Sequence, residues 1–412
     1  MLDGILTFDD YDFNNKTVLM RVDLNAPLDP KTGEILDDRR FRSHVPTIQE
    51  LMDRNVKLVL IAHQGRPGEP DFTTLEKHTA KLQTLLKRPV KYVDALFSSD
   101  VAAKVHAMKP KDIILLENVR LYSEEVLQRP PDVQATTIFC KKLAPMFDVF
   151  VNDAFGTAHR SQPSIVGFPQ LLPSVAGRLL EREYRTITDL LRNPKKPLTF
   201  IIGGAKSDDS LAVVKKALEN GADNILMGGI VANIFLAAKG YRLGEPNIEF
   251  IRGKKAIDQI DLAKPILDAY EDKIHLPVDL AIDEYGKREE ISVSNLPTNY
   301  KICDVGHKTV EEYVKIISKS KTIFANGALG IFEDKKFAYG TEEIIKAVAS
   351  AKGFSVIGGG HTVAAAEGLK ISEKITHVSS GGKACIDLLA GYKLPAIETL
   401  KQSKMGKPAD TE

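Results

Sequence analysis

Short hydrophobic runs in the second half of this chain keep ending in glycine pairs that open helical patterns. LTFII runs into Gly203-Gly204-Ala205-Lys206, NILM into Gly228-Gly229, FSVI into Gly358-Gly359-Gly360, and THVSS into Gly381-Gly382-Lys383. Glycines in such places leave bare backbone N–H groups at helix N-termini, a setting that binds anions. One glycine after a strand is a turn residue and little more. Four such loops on the strands of one sheet point to the phosphates of a nucleotide.

The first half sets a different chemistry at its strand ends. VLMRVDLN carries Arg21, Asp23 and Asn25, and Asp37-Asp38-Arg39-Arg40 stands before a helix. His63-Gln64-Gly65-Arg66-Pro67 follows LVLIA, Glu117-Asn118-Val119-Arg120 follows IILL, and the stretch from Asn152 to Arg160 follows VFV. Guanidinium forks grip carboxylate or phosphate bidentately. A single arginine of this kind is more often a surface ion-pair partner of small energetic weight. Five segments converging outside the carboxyl ends of parallel strands instead predict a small anionic substrate. No Ser/His/Asp set and no carboxylates paired for acid–base work accompany them.

The elements that must position these residues alternate along the chain. Strands are expected at Val18–Leu24, Lys57–Ala62, Val90–Val93, Ile113–Leu116 and Val149–Asn152. They recur at Leu198–Ile202, Asn224–Met227, Ile274–Ile282, Thr322–Ala325, Phe354–Ile357 and Thr376–Val378. Runs such as VKLVLIAH are apolar on both faces, as parallel strands between helices are. The expected fold is α/β: two doubly wound, Rossmann-like parallel-sheet domains joined by a hinge helix. That helix is LLEREYRTITDLLR, stopped by Asn193-Pro194-Lys195-Lys196-Pro197. It divides an N-terminal domain at 1–175 from a C-terminal one at 198–392, with the linker at 176–197. A final segment at 393–412 ends in a loose polar tail from about Lys401.

Composition narrows the class. At 412 residues the chain has room for two cores, and its net charge of +1 lacks the basic excess of a nucleic-acid binder. No stretch is long and apolar enough for a membrane span. Three widely spaced cysteines, Cys140, Cys303 and Cys385, fit a reducing, cytoplasmic setting and lack metal-ligand spacing.

RVDLNAP, HQGRP, LLENVR, VNDAFGTAHR, GGAK, LPVDLAID, NGALGIFE, VIGGGHT and HVSSGG occur in collinear order. Together they make the chain resemble the phosphoglycerate kinase family from about Asp9 to Leu400, and GGHT leans towards its archaeal branch. The resemblance implies reversible transfer of a phosphoryl group between 1,3-bisphosphoglycerate and Mg-ADP, giving 3-phosphoglycerate and Mg-ATP. Mg²⁺ enters with the nucleotide, the partners are these small molecules without nucleic acid or membrane, and the chain acts as a monomer or homodimer. By the same resemblance Asp23 and Asn25 meet the triose, and His63, Arg66, Arg120 and Arg160 hold its distal phosphate. Arg40 meets the phosphoryl group in flight. Gly203, Gly204 and Lys206 form the nucleotide loop, joined by Gly228, Asn326 and, at the ribose, Glu333. Gly359, Gly360, Thr362, Gly381 and Gly382 face the phosphates. Transfer between two anions needs no proton abstraction, so positioning and charge stabilisation suffice. Substrates on separate domains imply closure about the hinge.

Three positions depart from the family's common pattern. Ser210 replaces a second lysine, His361 an aspartate close to the metal, and Lys383 a glycine. Ala328 in place of a proline reads as neutral. Lys383 is expected to supply the transition-state cation that Ser210 cannot. His361 is a poor ligand for Mg²⁺, so the metal's protein ligands stay unassigned, with Asp208 or Asp209 nearby, and the imidazole is left to the nucleotide. The rival to a kinase is a catalytically weak, nucleotide-binding regulatory protein on the same scaffold. A Rossmann dehydrogenase is weaker, because no complete G-x-G-x-x-G follows the first strand.

Overall fold

The computed structural model describes residues 1–204 and 207–403, and for Ser207 and Asp208 the backbone alone. The chain forms two compact units, one of residues 1–185 with 393–412 and the other of 186–392. In the first unit six parallel strands lie in the order β3-β4-β2-β1-β5-β6. They are β1 (Thr17–Arg21), β2 (Lys57–Ile61), β3 (Lys91–Val93), β4 (Ile113–Leu116), β5 (Val149–Asn152) and β6 (Ser174–Ala176). Strands β1, β2, β4 and β5 are buried along almost their whole length, with apolar clusters on both faces, which is why their sequences lack alternation. The first strand stops at Arg21 instead of Leu24 because the Asp23 N–H donates to the His44 side chain and leaves the ladder. The short edge strand β6 was not expected.

The second unit holds β7 (Leu198–Ile202), β8 (Asn224–Met227), β9 (Ile274–His275), β10 (Asp279–Glu284), β11 (Lys287–Ser292), β12 (Lys301–Val305), β13 (Thr322–Asn326), β14 (Phe354–Gly358) and β15 (His377–Val378). Six of them form a parallel sheet in the order β15-β14-β13-β7-β8-β9, and β11-β10-β12 form a separate antiparallel sheet. The strand expected at Ile274–Ile282 is therefore two strands in two sheets. Pro277 sits at the break, where its missing N–H cannot serve a ladder. A helix spans Arg178–Arg192 and crosses the boundary between units at 185. The helix Pro395–Gln402 returns to the first unit: Ala396 N–H donates to the Ala158 carbonyl at 3.1 Å, and Ile397 and Leu400 are buried. Lys401 and Gln402 thus belong to a docked helix and not to a tail.

Candidate active site

In the first unit the expected residues gather at the carboxyl ends of β1, β2, β4 and β5. Asp23 is buried, and its Oδ2 accepts from a terminal nitrogen of half-buried Arg40 on the first-turn end of the helix Arg39–Asp53. Asn25 Oδ1 accepts from the Gly65 N–H at 2.8 Å, which fixes the loop after β2. Arg120 is buried, with its guanidinium on the Gly65 carbonyl. Arg66 is exposed and Arg160 half-buried. Burial, then Arg66 and Arg40, press the Arg160 guanidinium to lose its proton more easily, so these cations stand within electrostatic reach of one another. Like charges crowded in this way favour whatever anion enters.

His63 is buried beside fully buried Arg21, whose guanidinium lies 3.0 Å from Nδ1. Burial and the charges of Arg21, Arg160 and Arg40 hold the imidazole well below the usual histidine range. A guanidinium can only donate, so Nδ1 accepts and the proton of neutral His63 sits on Nε2. Arg21 Nε also donates to Ser164 Oγ at 2.9 Å, and Ser164 donates through both Oγ and N to buried Glu125. Burial lowers the Arg21 guanidinium and raises the Glu125 carboxyl.

The glycine loops of the second unit behave in two ways. A cavity of about 330 Å³ is lined by Gly203, Gly204, Asp209, Ser210, Asn326, Gly327, Gly359, Gly360, His361, Gly382, Lys383 and Ile386. Three of the four loops meet there, while Gly228 lies outside it. The N–H groups of Gly203, Gly204, Gly228 and Gly229 are already spent on the carbonyls of Asn326, Ala328, Ile202 and Leu329. These four glycines therefore do not offer the bare donors expected of them; they let neighbouring loops touch. The N–H groups of Gly360 and His361, in the first turn of the helix Gly360–Gly368, carry no hydrogen bond among the described residues. Thr362 spends its hydroxyl on the Gly327 N–H at 2.7 Å. The buried Asn326 Oδ1 has no partner among the described residues.

A second cavity of about 260 Å³ shares Gly204 and His361 with the first. Ile230, Phe250, Leu280, Ile302, Val305 and Leu329 make it mostly apolar, with Asn233, Asn247, Lys301, Asp304 and Glu333 as polar points. A cavity with backbone N–H donors joined to an apolar one has the layout a nucleotide requires.

A family model described as phosphoglycerate kinase matches residues 8–392. The chain belongs to the phosphoglycerate kinase family. It is 49% identical over 399 residues to the phosphoglycerate kinase of Methanothermus fervidus, with 97% of each chain covered. Identity and coverage are the same for that of Methanothermobacter thermautotrophicus. These are archaeal relatives, the branch towards which GGHT leans. Among solved structures, phosphoglycerate kinase from Pyrococcus horikoshii OT3 matches at 40% identity and TM-score 0.90, covering 97% of this chain and 99% of the other. That from Coxiella burnetii matches at 31% and 0.80, covering 97% and 100%.

The departures from this family's common pattern, Ser210, His361 and Lys383, all line the first cavity. Lys383 Nζ lies 3.0 Å from Asp209 Oδ1 and 3.0 Å from Asp387 Oδ1, so its charge is held by two carboxylates. His361 is largely exposed, 3.7 Å from Glu333 and against the Phe332 ring. Lys206, Ala205 and the Asp208 side chain lie outside the described residues. Sequence reasoning missed His44, which touches both Asp23 and Asp153. Its signal was a histidine on the apolar face Phe41, Ile48, Leu51 of an amphipathic helix. It also missed the apolar cavity, built partly by the unforeseen antiparallel sheet.

Proposed function

We propose that this chain is a phosphoglycerate kinase that moves a phosphoryl group reversibly between 1,3-bisphosphoglycerate and ADP, as in glycolysis and gluconeogenesis. The observation that carries this reading is the pairing of two unlike anion sites on separate units. One is a ring of guanidinium groups around Asp23 and His63; the other is a cavity with backbone donors beside an apolar compartment. We assign the triose to residues 1–175 and the nucleotide to 198–392, with 176–197 between them. Arg66, Arg120, Arg160 and the Nε2–H of His63 grip the distal phosphate, Asp23 and Asn25 orient the triose, and Arg40 steadies the transferred group. Gly359, Gly360, Gly382 and Lys206 meet the nucleotide phosphates; Glu333, at the rim of the apolar cavity, meets the ribose.

Among the described residues no three His, Cys, Asp or Glu side chains form a metal cluster. Mg²⁺ is commonly held by one or two carboxylates plus substrate phosphates, and Asp209 in the phosphate cavity fits that part. When bound with the nucleotide, the ion neutralises phosphate charge; the chain's own work is to position both anions and exclude rival geometries. Lys383, released from Asp209 as phosphate enters, supplies the cation missing at Ser210. The setting is the cytoplasm, as monomer or homodimer. The relatives named above carry kinase names and lend the regulatory reading no support. Transfer of label from γ-labelled ATP to 3-phosphoglycerate tests the proposal; retention of all label in ATP, with both ligands bound, contradicts it.

A further inference from the structure

Behind the triose site lies a buried chain of hydrogen bonds that the reaction itself does not call for. The Asp23 N–H donates to His44 Nε2 at 2.9 Å, and His44 Nδ1 lies 2.7 Å from Asp153 Oδ2. The other oxygen, Asp153 Oδ1, accepts from the Leu179 N–H at 2.9 Å. Leu179 is in the first turn of the helix Arg178–Arg192, so the carboxylate satisfies a donor that the helix leaves open and sits at its positive end. Both side chains are out of water, His44 being 1% exposed and Asp153 0%. Gly177, just before the helix, closes over the same carboxylate: a Cβ there would stand 2.1 Å from Asp153 Oδ1.

The geometry dictates the tautomer. A backbone N–H can only donate, so Nε2 of His44 must be bare and the proton must sit on Nδ1, facing Asp153. The imidazole is a one-way link: acceptor towards Asp23, donor towards Asp153. At the far end the Asp23 side chain holds Arg40 and accepts from the Asn25 N–H at 3.2 Å.

We propose that His44 and Asp153 are positioning residues that lock the backbone of Asp23 to the first turn of the helix Arg178–Arg192. That helix runs past Arg185, where the first unit ends. The placing of Asp23 and Arg40 on the triose is therefore tied to the segment through which the chain enters the second unit. This inference rests on the triose assignment made above for Asp23 and Arg40.

Asp153→Asn tests it with little change of volume. The amide keeps an oxygen for Leu179 but turns an N–H towards Nδ1, which forces the imidazole proton to Nε2. There it meets the Asp23 N–H, donor to donor. The expected result is a fall of roughly 10–100-fold in kcat/KM for 3-phosphoglycerate, the scale of a small misplacement of a binding group, with the KM for ATP within about twofold of wild type. His44→Leu, which has neither donor nor acceptor, should match it, and the double variant should be no worse than either single one. His44→Gln, whose amide carries both a donor and an acceptor, should recover most of the loss. Equal rises in both KM values, or triose kinetics within twofold of wild type, would overturn the proposal. Should Asp153→Asn fail to fold, ring ¹⁵N spectra of the wild-type protein decide, with His44 assigned by its loss in His44→Gln. A bare Nε2 and protonated Nδ1 are required, and an Nε2-protonated or doubly protonated ring refutes the link. That spectrum needs no turnover, so an inactive wild type would sink the kinase reading while leaving this one to be judged separately.

Discussion

Gly359→Ala should damage the nucleotide half of the reaction and leave the triose half alone. Gly359 precedes the helix Gly360–Gly368 with φ of 80° and ψ of 137°, a conformation that residues with a Cβ rarely adopt. An added Cβ would also stand 2.6 Å from Asn326 Oδ1, a buried atom on the wall of the first cavity. Backbone strain of this sort costs about 1–3 kcal/mol. Relieving it means moving the loop that presents the Gly360 and His361 N–H groups. At about 1.36 kcal/mol per tenfold, the expected fall in kcat/KM for ATP is roughly 5–150-fold. The assay is steady-state turnover with each substrate varied in turn, beside thermal unfolding. Gly368→Ala is the control, since a Cβ there meets nothing within 4 Å, and it should stay within about twofold. A Gly359→Ala enzyme whose ATP kinetics match wild type would show that the loop backbone does not hold phosphate.

Three further outcomes follow from other residues. Lys383→Ala should lower kcat by roughly 10²–10³, the usual weight of a transition-state electrostatic group; a kcat within a few fold of wild type removes Lys383 from the chemistry. His361→Ala should change the KM for nucleotide, or the preference among divalent ions, more than the KM for 3-phosphoglycerate, and the reverse ranking counts against its place at the nucleotide. Burial pulls His78 from the ordinary 6.5 down to about 4. Below pH 6.5 the unfolded chain then binds a proton that the folded chain refuses, so stability falls as the pH drops towards 4, by roughly 3 kcal/mol in all. Urea midpoints measured from pH 7 to 4.5 should drop less steeply in His78→Gln; equal slopes would refute the burial argument.

What the sequence could tell depended on how local the cause was. Strands β1, β2 and β7 were readable because a parallel strand between helices is apolar throughout, a property of five consecutive residues. The cations of the first unit were readable because the ends of parallel strands are where ligands sit. The split of Ile274–Ile282 hid behind its apolar run, and KREEIS, with no apolar run, drew no strand assignment because β11 is an exposed edge. That the Gly228 N–H is not bare has a longer-range cause: it is taken by the Ile202 carbonyl at the end of the neighbouring strand β7. The link from Asp23 through His44 to Asp153 spans 109 residues between its last two members, which no local pattern encodes.

The central claim is tested most directly by ATP consumption in purified protein given 3-phosphoglycerate and Mg²⁺, with 1,3-bisphosphoglycerate drawn off by a coupling dehydrogenase and Lys206→Ala run alongside. Robust turnover that collapses in Lys206→Ala is the predicted result. Absence of turnover in the wild type, while both substrates still bind, would contradict the kinase and leave a scaffold that holds its ligands without reacting them.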